Sequence, residues 1–130
     1  MQLKRYKLNL NKRRLIAKKY FLELSKIKKL KVMPYINECS YFVYQIFCRS
    51  NNERNKLIEF LKLNNIGCSI HYLKPLHLMK YYKKKHFNKN KYFYSEMYGK
   101  TNISLPVYPK LNLKGLNYII GTIKKFYKEK

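Results

Sequence analysis

Residues 40–49 read S-Y-F-V-Y-Q-I-F-C-R, and Tyr41, Phe42, Val43, Tyr44, Ile46 and Phe47 make the segment β-rich and almost continuously apolar. A run of that length and character suits a central strand. Ser50 follows at once, three residues before Glu53, so that the serine oxygen and the glutamate carboxylate can satisfy reciprocal backbone N–H groups in a capping box. A buried strand that passes directly into a capped helix leaves few options other than an α/β arrangement, in which helices cover the sheet.

The flanking segments fit that frame. Leu3, Tyr6, Leu10, Ala17, Tyr20, Leu24 and Ile27 recur at steps of three, four or seven, with Arg13 in the one missing place, which predicts a long amphipathic helix. It starts at Met1 without an N-cap residue and reads as a helix entered partway, its seam wanting a partner surface. Leu57, Ile58 and Leu61 form the buried stripe of the capped helix, and Asn64, Asn65 and Gly67 supply residues that tolerate a left-handed backbone at its end.

Cys68–Tyr72 is expected as a second strand, and Pro75 opens a short helix through Leu76, Met79 and Tyr82. Residues 83–91 are basic and polar, an expected exposed loop. Tyr92–Tyr98 reads as a helix, Ile103–Leu105 as a brief strand, and Pro106 and Pro109 bracket a rigid turn. Asn112 caps a final helix whose apolar face is Leu113, Leu116, Ile119, Ile120, Ile123 and Phe126. The expected order is helix, strand, helix, strand, helix, strand, helix: one small sheet of about three strands packed with helices.

Charge is the other conspicuous property. Thirty Lys and Arg against 6 Asp and Glu give +24, which favours polyanionic partners. The excess runs from Lys4 to Lys130, however, and Lys, Asn, Ile and Tyr are inflated together, as an AT-rich coding background would make them. A small basic nucleic-acid-binding protein is therefore the alternative reading, unsupported by any RNA-recognition, zinc-finger or helix-turn-helix signature. Hydrophobic residues at 46% and aromatics at 16% exclude a disordered, charge-dominated chain.

Cys39, Cys48 and Cys68 are odd in number and lack a C-x-x-C spacing, so reduced thiols are expected and neither a disulfide framework nor a zinc knuckle. Lys4, Arg5 and Lys7 precede no apolar h-region, and no apolar run is long enough to span a bilayer. A soluble, cytoplasmic protein is expected.

Several strings in this order resemble the C-terminal part of the DegT (DegT/DnrJ/StrS) family of sugar-nucleotide aminotransferases. Gln2, Leu3 and Lys4, then Arg14, Ile16, Ala17 and Tyr20, are similar to its linking helix; Tyr44 resembles its Y-x-Y-x-I strand, and Arg54, Leu57 and Leu61 its R-x-x-L…L helix. More specific is Ile66-Gly67-Cys68-Ser69-Ile70-His71-Tyr72-Leu73-Lys74-Pro75-Leu76-His77, close to G-I-x-x-x-x-H-Y-x-x-P-L-H, with paired Tyr81 and Tyr82 after it. Ile103-Ser104-Leu105-Pro106-Val107-Tyr108-Pro109 then matches S-L-P-x-x-P.

The resemblance implies residues 1–30 as a linking helix and residues 31–130 as the C-terminal small domain of a fold-type I aminotransferase. It implies a pyridoxal phosphate enzyme that moves an amino group from glutamate to a nucleotide-linked keto-sugar in surface polysaccharide or glycan biosynthesis. The cofactor lysine would lie in a larger N-terminal domain, so no lysine here is expected to bind the cofactor covalently, no residue here is assigned as catalytic, and the chain alone is expected to be inactive. Partners implied are the sugar nucleotide, a separately encoded N-terminal half, and a second copy, since the family is typically homodimeric.

Within the small domain, His71 and Tyr72 end an expected strand before a turn, and the resemblance points them at the sugar, where an imidazole and a phenol can exchange hydrogen bonds with hydroxyl or keto oxygens. His77 is the third substrate-binding candidate, with packing or capping in the short helix as its structural alternative. His71, His77 and His86 have no metal-site spacing. Tyr81 and Tyr82 diverge by about 100° on a helix, so one faces the core and the other solvent. Arg54 is expected in a solvated or structural role.

Overall fold

The structure, a computed structural model, describes residues 2–82 and 89–128, with the side chains of residues 2, 89 and 90 excepted. Four α-helices and three strands follow in the order α1 (Gln2–Leu24), β1 (Lys31–Val32), β2 (Tyr44–Phe47), α2 (Asn51–Leu63), α3 (Phe93–Thr101), β3 (Asn102–Leu105) and α4 (Leu113–Lys128). The sheet is antiparallel throughout, in the order β1-β2-β3.

The register of β2 on β3 decides what each face of the sheet is made of. Tyr44 pairs with Leu105 and Ile46 with Ile103, whereas Gln45 pairs with Ser104 and Phe47 with Asn102. Successive side chains alternate between faces, so one face is wholly apolar and the other mostly polar. The apolar face joins Tyr20 and Leu24 of α1, Leu57 and Leu61 of α2 and Ile123 of α4 in one core. Each of these fully buried aliphatic side chains contributes about 1.5–3 kcal/mol by leaving water. The polar face is where the site is built.

Local chemistry places the helices. Ser50 Oγ accepts the Glu53 N–H at 3.1 Å, while the Glu53 carboxylate reaches one residue further than expected and accepts the Arg49 N–H at 2.9 Å. At the far end of α2, Asn65 takes the left-handed conformation at φ 57, and the Ile66 and Asn65 N–H groups close onto Leu61 and Lys62 carbonyls. Gly67 does not need positive φ. Asn112 caps α4 through Oδ1, which accepts the Gly115 N–H at 2.8 Å.

Four expectations change. The third strand is Lys31–Val32, not Cys68–Tyr72; the latter keeps a single bridge, Ser69 with Ser104, because beyond Ser69 the backbone turns to side-chain partners on the sheet's polar face. After Pro75 only one 3-10 turn forms, Leu76–Leu78, instead of a helix to Tyr82. Helix α1 stops at Leu24, short of residue 30, and its first turns leave the core: Leu3 is 88% exposed and Tyr6 is also exposed, while Ile16, Ala17, Tyr20 and Leu24 carry the packing. The long apolar run shortens to Tyr44–Phe47, with Phe42 exposed.

Helix α3 lies close to its expected place, preceded by a 3-10 turn at Lys89–Tyr92. Residues 83–88 of the expected basic loop, with His86, lie outside the described residues. Among the described residues no helix is long and apolar enough to cross a membrane.

Candidate functional site

The polar face of the sheet, helix α3 and the segment from His71 to Tyr82 enclose a groove of about 940 Å³. His71, Tyr72 and His77, the three residues singled out in the sequence, all line it. Each is held there for a different physical reason.

His71 is fastened by its backbone to the residues that alternate onto the polar face. Its N–H donates to Asn102 Oδ1 at 3.1 Å, and its carbonyl accepts from Gln45 Nε2 at 2.5 Å. Asn102, almost fully buried, uses its amide nitrogen to donate to the Tyr98 carbonyl in the last turn of α3. One side chain thus ties strand, helix and turn together, and an unsatisfied amide at that depth would be costly. The His71 ring sits with Nδ1 2.9 Å from Ser104 Oγ and 3.3 Å from Ser69 Oγ. Hydroxyls donate or accept, so both imidazole tautomers are supported; Nε2 has no hydrogen-bond partner among the described residues and can offer either a donor or an acceptor.

Tyr72 packs its ring edge-on against His71 and is 72% exposed, so its phenol stands at the mouth of the groove. His77 is differently placed. Its Nε2 lies 3.0 Å from Glu96 Oε1 on α3, and its ring stacks on Tyr92 at 4.6 Å, which makes it a strut between the 3-10 turn and α3 as well as a piece of groove wall. His77 thus has the packing role expected as its structural alternative, and its ring also lines the groove. Tyr82 lines the groove and Tyr81 is exposed, but they stand in a turn and not on a helix, and Tyr82 does not enter the core.

Gly99 lets the wall close. A Cβ there would stand 2.9 Å from the Leu73 carbonyl oxygen and 3.3 Å from Pro75 Cδ, so α3 meets the turn after Tyr72 backbone to backbone. Gln45, Asn102, Ser104, Tyr98 and Gly99 were not singled out in the sequence as site residues. The alternation in Asn102-Ile103-Ser104-Leu105 carried the signal, since two polar residues on one side of a strand in a small α/β unit need a polar task.

Arg54 is not solvated: it is 2% exposed, inside the α2 packing, with Nε and Nη1 lacking partners among the described residues. Burial pushes the Tyr20, Tyr44 and Tyr127 phenols well above their ordinary value, so these core tyrosines remain neutral; Tyr20 donates to the Pro106 carbonyl at 2.9 Å. No group of three or more His, Cys, Asp or Glu among the described residues could hold a metal ion.

A pyridoxal phosphate pocket needs a lysine, a carboxylate facing the pyridine nitrogen and a phosphate cradle. The groove lining offers Lys74 but no carboxylate, and its one glycine is covered by backbone. The residues that line the groove do not by themselves fit the cofactor.

Relatives share this fold. The chain is similar to a protein of Methanocaldococcus jannaschii, with 32% identity over 98% of this chain and 34% of the relative. It is also similar to the spore coat polysaccharide biosynthesis protein SpsC of Bacillus subtilis, at 28% over 98% and 34%. Among solved structures it superposes on a Streptococcus pneumoniae protein described as a sugar aminotransferase, in its PMP form, with TM-score 0.85, 28% identity, and coverage of 98% of this chain and 33% of that one.

The same protein has been solved in a PLP form, so pyridoxal phosphate is the cofactor of intact enzymes of this kind. This chain spans about a third of the length of the curated relatives it matches. The model of the DegT/DnrJ/EryC1/StrS aminotransferase family matches residues 1–124, and the chain belongs to that family.

Proposed function

We propose that this chain is the substrate-facing small domain of a pyridoxal phosphate-dependent aminotransferase that transfers an amino group from glutamate to a nucleotide-linked keto-sugar, with residues 1–30 as the linking segment and residues 31–130 as the domain proper. The observation that carries the reading is the convergence of His71, Tyr72 and His77 on one groove whose floor is the polar side of the sheet.

In that role the chain supplies hydrogen bonds and excludes water. His71 presents an imidazole whose orientation is fixed by Ser104 and Ser69, Tyr72 adds a phenol at the mouth, and the aromatic walls at Phe47, Tyr92 and Tyr98 give a sugar ring apolar faces. The Schiff-base lysine belongs to a larger domain, which makes the chain alone inactive and assigns its working partners as that domain and a second subunit.

Titration of the isotope-labelled chain with a UDP-linked hexose tests the reading: amide shifts are expected at residues 71–74 and 76, and His71→Ala should abolish them. A silent groove, together with single-stranded DNA binding that persists at about 0.15 M salt, overturns it in favour of a nucleic-acid-binding protein. Purified chain that acquires a stable, borohydride-reducible aldimine contradicts the assignment of the lysine to another domain.

A further inference from the structure

A second, smaller pocket of about 290 Å³ abuts the groove and shares Phe47 and Tyr98 with it as a common wall. Lys28, Lys29, Lys31 and Arg49 are four of its ten lining residues, and no carboxylate is among them. The concentration exceeds that of the other pockets: the groove beside it is lined by one lysine, the pocket between Asn65 and Ile119 by no cation, and the one along α1 by Arg5 and Arg13. None of the four cations is in an ion pair among the described residues, and Glu53 commits its Oε2 to the Arg49 backbone N–H.

Strand geometry sets the spacing between the two pockets. Gln45 and Phe47 stand at alternate positions of β2, about 7 Å apart, and Arg49 follows two residues beyond the end of the strand. Gln45 holds the His71 carbonyl, Phe47 is the shared wall, and Arg49 is at the cationic end, with Lys31 paired to Phe47 across the sheet. That progression matches a ligand with a sugar at one end and a pyrophosphate at the other. Lys31 Nζ also lies 6.0 Å from the Tyr98 ring centroid, so its charge stands over the wall that the two pockets share.

We propose that the pocket of Lys28, Lys29, Lys31 and Arg49 is a phosphate subsite that receives the diphosphate of a substrate whose sugar lies against His71. This inference rests on the reading of the groove as a sugar-nucleotide wall. It adds the residues that recognise the charged half of that substrate, through charge-assisted hydrogen bonds from ammonium and guanidinium groups to phosphate oxygens.

The test uses the full 130-residue chain at about 0.15 M salt, where diffuse attraction is screened, with inorganic pyrophosphate and a UDP-linked hexose as probes. Pyrophosphate is expected to shift the amides of Lys31 and Arg49. The double variant Lys31→Gln/Arg49→Gln should weaken it about tenfold, whereas Lys110→Gln/Lys114→Gln, which removes the same charge from exposed positions elsewhere, should change it by less than about twofold. Equal weakening in both double variants means adventitious attraction to a basic surface and overturns the subsite. The UDP-linked hexose should shift pocket and groove together. Shifts in the groove with a silent pocket sink the subsite and leave the groove reading standing; shifts in the pocket with a silent groove sink the link to a sugar and the groove reading with it.

Discussion

Two glycines inside helices should respond to the same substitution with opposite sign. Gly121 lies in α4, exposed, with nothing within 4 Å of the position a Cβ would take. Gly121→Ala therefore gains the intrinsic helix preference alone, roughly 0.5–1 kcal/mol of stability. Gly99 in α3 starts from the same preference, but its added methyl would meet the Leu73 carbonyl oxygen at 2.9 Å, with the Tyr72 carbonyl oxygen and Pro75 Cδ each at 3.3 Å. Two of these neighbours are backbone and cannot rotate away. The turn after Tyr72 must shift, at the ~1–3 kcal/mol typical of overpacking.

Gly99→Ala is accordingly expected to be net destabilising by about 0–2 kcal/mol, and the two variants to differ by on the order of 1–3 kcal/mol. Urea unfolding followed by far-UV circular dichroism measures both as midpoint shifts at constant slope. The amides of residues 71–74 and 76 should move in Gly99→Ala and stay in place in Gly121→Ala. If Gly99→Ala raises the midpoint as much as Gly121→Ala does, the turn is not pressed against α3, and the close wall of the groove is wrong.

Three further outcomes follow from burial and charge. Exposed Cys39 should react first with a thiol reagent, and Cys68 more slowly because half-burial raises its pKa against the opposing pull of Lys62; Cys48 should react only on unfolding. Reaction of Cys48 at the rate of Cys39 refutes the packing around Tyr127. Glu23 bridges α1 to α4: the Lys124 hydrogen bond, then that of Lys26, holds its carboxyl below the ordinary 4.5, so its contribution is present above that value and is lost as pH falls through the lowered one. A Glu23→Gln variant should show a flatter acid limb, and an unchanged limb excludes the bridge. At the alkaline end, Tyr20, Tyr44 and Tyr127 resist ionisation in the fold, so their contribution is complete below the ordinary 10.0 and declines as pH rises above it. Phenolate absorbance should show these three lagging behind the exposed tyrosines until the protein unfolds.

What was legible in the sequence, and what was not, divides along the range of the interactions. The Ser50 and Asn112 caps and the apolar face of α4 depend on residues three or four apart, and they are found where the pattern put them, except that Glu53 bonds the Arg49 N–H and Leu113 is exposed. A resemblance in one short string named His71, Tyr72 and His77, and the three line one groove. Their partners were not: Asn102 lies 31 residues from His71, Ser104 33 residues away, and Gln45 26 residues before it.

The misassigned strand has the same origin. Cys68–Tyr72 has strand-like composition, but whether such a run joins a ladder depends on what the neighbouring strand presents. Here β3 offers one backbone bridge at Ser104 and then a side chain, Asn102. Had Asn102 been apolar, the backbone of His71 would have needed another partner, and pairing along β3 would have been available to it. The polar alternation of β3 therefore does two things at once: it ends the ladder at Ser69, and it turns the next residues into the wall of a groove. Sequence pattern identified the strand and the His-Tyr string separately; the site exists because the side chains of one terminate the pairing of the other.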